Sequence, residues 1–236
     1  MSLGHPFLFS VAEGNVSGHT VLKINGHNDS IAAGDTLLAQ GGNITYLSSA
    51  ATFNIGSSSS QDHALYTGAS TVTIFGLDYT WAKVSETLTM DGATAVETTQ
   101  EFLRVYKVEV TTAGSGGKNA GAISFRANGT AQGTINAGNN KSTMGVYTVA
   151  TASEAYLVGG YYSATNNKAS EGKFYVRPFG EVFRLELSTV SQDSGVSIDF
   201  QGPFKMAAKT DIEIRGQAVG GSGVASAAMF GWEEDT

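Results

Sequence analysis

Apolar and polar residues alternate with period two through most of this chain, and no stretch carries the three-to-four spacing of an amphipathic helix. In Phe183-Arg184-Leu185-Glu186-Leu187-Ser188 the apolar residues fall on one side and the polar ones on the other. Asp211-Ile212-Glu213-Ile214-Arg215 repeats the scheme. Across Phe102–Val110 both sides are apolar, which predicts a strand central in its sheet. Further strands are expected over Pro6–Val11, Thr20–Asn25, Ile44–Leu47, Thr71–Leu77 and Val84–Met90. The second half adds Ala122–Ala127, Met144–Ala150, Ala155–Ser163, Lys173–Phe179, Val196–Phe200 and Val224–Trp232. These windows are rich in Val, Ile, Thr, Tyr and Phe, as a pleated, half-buried surface prefers.

Turn signals separate the windows: Asn25-Gly26, Gly41-Gly42-Asn43, Asp91-Gly92, Asn128-Gly129, Gly138-Asn139-Asn140 and Asp193-Ser194-Gly195. Asp91-Gly92 and Asn128-Gly129 are candidates for tight hairpins, because both residue types tolerate positive φ. The run Thr112-Ala113-Gly114-Ser115-Gly116-Gly117 has the composition of a linker. It divides the chain into an expected N-terminal β-sandwich, residues 1–112, a linker at 113–117, and a C-terminal β-sandwich, residues 118–236. Each half could hold a sandwich of around eight strands, the usual jelly-roll complement; the alternative is one continuous domain with a long loop at Thr112–Gly117. The expected fold is therefore all-β, two antiparallel jelly-roll-like sandwiches in tandem.

Composition narrows the function. Charged residues make up only 15% of the chain, so its polar surface is built from Ser, Thr, Asn and Gln, which suits close neutral packing against partners. Thirty glycines against three prolines fit many tight turns, and no Gly-X-Y period is present. A net charge of −7 with no basic run argues against nucleic acid as a partner. Cysteine is absent, which removes disulfides and thiolate metal sites. No apolar stretch approaches the ~18 residues of a membrane span. Met1–Ser10 lacks the pattern of a secretory signal, so folding without export is expected.

Candidate chemistry is sparse. His5, His19, His27 and His63 are the histidines, and His27-Asn28-Asp29 with Asp35 offers possible metal ligands, but their spacing is not that of a zinc site. No calcium loop is present. Gly114-Ser115-Gly116-Gly117-Lys118-Asn119 resembles a phosphate loop but lacks its first glycine and its Ser/Thr. There is no Gly-x-Ser-x-Gly elbow. Asp199 and Glu213 are carboxylates that facing strands could pair, as glycoside hydrolysis requires. No catalytic residue, metal or cofactor is assigned, and a non-enzymatic protein is expected. The aromatics say more. Phe7, Phe9, Tyr161, Tyr162, Phe230 and Trp232 are candidates for subunit contacts, where large rigid rings concentrate binding energy. A strand can bury only one ring of Tyr161-Tyr162. Trp81, Tyr161 and Tyr162 form the alternative set, a surface that grips a glycan.

Several segments together carry a resemblance. Gly18-His19-Thr20 leads to Lys23-Ile24-Asn25-Gly26-His27-Asn28, and Ser57–Ser60 precedes Asp62. Then follow Gly68-Ala69-Ser70-Thr71-Val72-Thr73-Ile74-Phe75-Gly76-Leu77-Asp78, Ser85-Glu86-Thr87, Asp91-Gly92, Phe102-Leu103-Arg104-Val105 and Lys118-Asn119-Ala120-Gly121-Ala122-Ile123. In this order the segments resemble virion structural proteins of marine tailed phages, especially short-tailed ones. The resemblance implies a place on the particle rather than an activity. The expected role is decoration or cementing of the capsid shell, as a homo-oligomer (a trimer would cover exposed sheet edges) in contact with the major capsid protein or other virion subunits. The expected location is the virion, assembled in the host cytoplasm. The alternative is a fibre or tail adhesin that binds a host-surface glycan.

Overall fold

The structure, a computed structural model, describes residues 5–42, 44–165, 169–192 and 194–236, with side chains from residue 7 onward. Asn43 and Asp193 of the expected turns, the His5 side chain and the segment 1–4 lie outside these residues. In chain order the elements are α1 (His5–Ala12), β1 (His19–Ile31), β2 (Thr36–Leu37), β3 (Phe53–Ser57), β4 (Ala69–Leu77), β5 (Lys83–Thr89), β6 (Val96–Glu97), β7 (Arg104–Ala113) and β8 (Ile123–Ala127). There follow β9 (Thr130–Ile135), β10 (Val146–Thr148), β11 (Ser153–Thr165), β12 (Ala169–Arg177), β13 (Arg184–Gln192), β14 (Gly195–Met206), β15 (Asp211–Ala218) and β16 (Gly223–Asp235). Among the described residues every pairing between strands is antiparallel, and helix accounts for 3%. The protein is nearly all-β.

The chain forms two compact units, and the division differs from the expected one. One unit is split in sequence, residues 1–38 with 145–236, and the other, residues 39–144, is inserted within it. Thr112–Gly117 lies inside the inserted unit and is no linker. It continues from β7, and the Gly114 and Gly116 amides donate to the carbonyls of Gly68 and Thr67, each at 2.8 Å. A Cβ on Gly114 would sit 1.9 Å from the Tyr66 carbonyl oxygen. The glycines here permit two backbones to touch; composition alone cannot distinguish that use from flexibility.

In the split unit one sheet runs β1-β16-β11-β14 and the other β10-β15-β12-β13, with β2 also pairing β15. Both sheets contribute to the core, in which Leu22, Ile24, Leu157, Phe174, Val176, Ile212, Ile214 and Met229 are buried. Each such side chain contributes roughly 1.5–3 kcal/mol on removal from water. Tyr162 lies at the centre, 1% exposed, its hydroxyl hydrogen-bonded to Ser170. Gly172 makes room for that ring, since a Cβ there would lie 2.5 Å from it.

The inserted unit also has two sheets, β6-β3-β8-β9 and β5-β4-β7, around Phe53, Ile55, Ile74, Phe102, Val108, Ile123 and Phe125. Asn128 (φ 50°) and Gly129 (φ 76°) make the tight turn between β8 and β9. Asp91-Gly92 does not close a hairpin; Asp91 makes single bridges to His63 and Thr94. Three other expectations fail locally. Asn25-Gly26 is no turn but lies inside β1, opposite Ala228 and Ala227 of β16. Pro6–Val11 is helical rather than extended, because Phe7 and Val11, four residues apart, share the face that packs down. Ile44–Leu47 is irregular, with the Thr45 amide donating to the Gln132 side chain instead of a neighbouring strand.

Candidate functional site

The outward face of the β1-β16-β11-β14 sheet gathers most of the aromatic candidates. Registers place side chains there in rows that cross the strands. Lys23, Phe230, Gly159 and Asp199 form one row; Asn25, Ala228, Tyr161 and Ser197 the next; His27, Ser226, Ser163 and Gly195 the third. A register shift between Leu157 and Gly159 keeps Tyr161 outward while Tyr162 points into the core. Tyr161 is 46% exposed and Phe230 39%. Between them the floor is low: Ala228 is buried, and Gly159 lies 3.4 Å from the Phe230 ring measured from where its Cβ would be.

On the other side of Phe230 the row is Val21, Trp232, Tyr156 and Lys205. Trp232 is only 9% exposed. Its ring stacks on Tyr156 at 5.0 Å and meets the edge of Phe7 at 5.0 Å, so α1 covers it. The final row is polar. It holds His19, Glu234 and Glu154; His19 contacts Glu234 at 3.2 Å, and Lys205 reaches from the row before to Glu154 at 2.6 Å. Lys205, and after it the Tyr156 hydroxyl, hold the Glu154 carboxyl below the usual carboxylate range. Burial first, and then the bonds to Glu154 and Glu234, push the Tyr156 phenol up.

The structure therefore sorts the six contact candidates. Phe7, Phe9, Tyr161 and Phe230 reach the surface, and Phe7 also holds α1 to the sheet. Tyr162 and Trp232 are packed within the chain, which takes them out of the contact set and takes Tyr162 out of the glycan set. Val21, 49% exposed, joins the surface group and was missed because a lone Val in an alternating strand carries no signal of its side. Tyr161 belongs to the split unit, whereas Trp81 belongs to the inserted one. It sits in the β4–β5 hairpin loop at φ 68°, an unusual conformation for a bulky residue. Asp78 shapes that loop by accepting from the Thr80 and Ala82 amides. The Arg104 guanidinium lies 4.9 Å from the centres of both the Trp81 and Tyr46 rings.

The titratable candidates do not converge on a reaction centre. His27 bonds Ser226 at 2.7 Å through Nδ1 and Asp29 at 2.8 Å through Nε2, an array with the residue types of a nucleophilic triad. It differs in substance: Asp29 is 63% exposed, where a triad acid is buried, and the neighbouring amides are spent on strand pairing. His63 lies 3.4 Å from Asp91 and accepts from the Leu65 amide. Asp199 is exposed on β14, whereas Glu213 is buried on β15 of the other sheet and bound to Arg215. They do not form a carboxylate pair. Asp35 contacts Lys173 at 2.7 Å and Tyr175 at 2.6 Å, an internal ion-pair cluster rather than a ligand set. Among the described residues no group of three His, Asp or Glu side chains is arranged to hold a metal ion.

No family model and no curated protein matches this sequence. Solved structures that align with it include infectious bursal disease virus, Gt strain, at 10% identity and a TM-score of 0.20 over 98% of this chain and 78% of that one. A subviral particle of infectious bursal disease virus aligns at 9% identity and a TM-score of 0.21, with the same coverage. At such scores the alignments carry no weight for fold or function.

Proposed function

We propose that this chain is a non-enzymatic structural protein of a phage particle, which decorates or cements the capsid shell through homo-oligomer contacts and contacts with coat subunits. The strand order of the split unit carries the reading. With β1 and β10–β16 numbered first to eighth, the sheets read 1-8-3-6 and 2-7-4-5, the order of two interlocked Greek keys. We read the unit as a single jelly roll, with the inserted unit between its first and second strands. Jelly rolls build viral shells and also lectins, so the order alone does not choose a function. The sparse charge, the exposed rings of one sheet face and the resemblance to virion structural proteins favour the shell.

Phe230→Asp tests this reading, because it places a charge in the centre of the exposed face without removing a core residue. Cement function predicts that particles lose the protein, or lose resistance to heat and low salt, while host adsorption persists. Intact, fully decorated particles that fail to adsorb would move the protein to the adhesin class. The exposed Tyr161 is the observation that favours that second reading.

A further inference from the structure

The Tyr161 row and the rows beside it have a composition unlike that of the rest of the sheet. Among these three rows of four positions, formal charges stand only at Lys23 and Asp199, on the two edge strands. The interior strands offer one half-exposed phenol ring, a second ring from Phe230, and the small residues Ala228 and Gly159, with Gly195 on the edge beside them. Around them stand the neutral polar groups of Asn25, Ser163 and Ser197. His27 and Ser226 are engaged with each other, but the side chains of Asn25, Tyr161, Ser163 and Ser197 are not committed to hydrogen bonds with described residues. Donors and acceptors thus surround a flat ring above a low floor.

Dimensions decide what such a surface can hold. Three inter-strand spacings and four residues along a strand give a patch of about 14 Å by 13 Å, roughly 200 Å². A stable protein–protein contact needs about 800 Å² on each side, so this patch alone is too small for one. It matches one or two pyranose rings. Pyranoses present an apolar C–H face for stacking and equatorial hydroxyls at the rim, where uncharged hydroxyl and amide groups can pair with them without the desolvation cost of an ion.

We propose that the outward face around Tyr161 is a binding subsite for a neutral hexose glycan, with Tyr161 as the stacking platform and Asn25, Ser163 and Ser197 as hydroxyl partners. Phe230 walls one side across Gly159. The strands hold every group, so the subsite is formed before the sugar arrives. This inference rests on the second reading above, in which the exposed Tyr161 meets a glycan rather than a coat subunit.

The test is titration of the full chain with maltohexaose, cellohexaose and mannohexaose, read by saturation-transfer NMR and calorimetry. At least one should bind with a dissociation constant in the millimolar range or tighter, about −4 kcal/mol. Tyr161→Ala should weaken binding about tenfold or more, while Tyr161→Phe, which keeps the ring face, should stay within a few-fold of the parent. The double change Ser163→Ala, Ser197→Ala should weaken it with the ring intact. Because these positions are on the surface, unchanged thermal unfolding of each variant separates loss of the sugar from loss of the fold. Absence of binding to all three sugars at concentrations up to about 10 mM overturns the proposal. So does binding that survives Tyr161→Ala, or a Tyr161→Ala variant whose only defect is release from particles, which would mark the ring as a protein contact.

Discussion

Asp62 has no exposed surface, yet it is charged and stable because of what points at it. Its two oxygens accept from the Ser57 hydroxyl and from the amides of Ala69 and Ala120 at 2.7 Å and Gly121 at 2.8 Å. Burial pushes its carboxyl up, but these four donors outweigh burial and leave it below the ordinary value of 3.8. One side chain thereby ties the loop after β3 to the start of β4 and to the turn before β8. Asp62→Ala strands several buried donors and should cost about 3 kcal/mol or more in urea unfolding. The pH dependence has a definite sign. A depressed carboxyl contributes stability above its unfolded value and loses it as pH falls through the folded one. The gap between parent and variant should therefore be full near neutrality and narrow below about pH 4.

At the scale of elements, apparent flexibility and actual constraint change places. Thr112–Gly117 has linker composition, but its Gly114, Gly116 and Gly117 amides are hydrogen-bonded and Gly114 lies against the Tyr66 carbonyl. Gly114→Ala should destabilise the inserted unit by about 2 kcal/mol, because the new Cβ meets backbone rather than a side chain that can move. A true linker would tolerate the change within about 0.5 kcal/mol. Hydrogen exchange gives a second measure: the Gly114 and Gly116 amides should be protected. Helix α1 presents the reverse case. Its apolar run suited a strand, but an isolated edge strand would leave its hydrogen bonds unmade, whereas a helix satisfies them internally and lays Phe7 on Trp232.

The whole molecule is one unit inserted into another, and the junctions explain how the insertion is accommodated. The Gln40 amide donates to the Thr143 carbonyl at 3.2 Å, so the inserted unit's two ends lie side by side. In the split unit, the Leu38 carbonyl oxygen is 2.6 Å from where a Cβ of Gly145 would stand. Adjacent ends allow each unit to close its own core. Residues 39–144 expressed alone should fold and unfold cooperatively with a β-sheet circular-dichroism spectrum. The split unit should do the same with residues 39–144 replaced by a short Gly/Ser turn. Failure of both fragments would mean that the two cores are not independent.

The sequence by itself determined the all-β class, the position of most long strands and the Asn128-Gly129 turn, because these follow from local rules: period-two burial, β-branched content and tolerance of positive φ. It also implied that Tyr161 and Tyr162 face opposite ways. Only the tertiary structure decided which of the two faces out, since a strand's two sides are equivalent until another sheet covers one of them. It also decided that Trp232 is core, because α1 and Tyr156 cover it from places distant in the chain. β3 carries Gly56 and β9 carries Gly133 where neighbours come close, and β2 and β6 are two residues each, so their pairing, not their composition, makes them strands. The unit boundaries were hidden for the same physical reason: glycine marks flexible chain and tight backbone contact alike, and only the residue on the far side of the contact tells them apart.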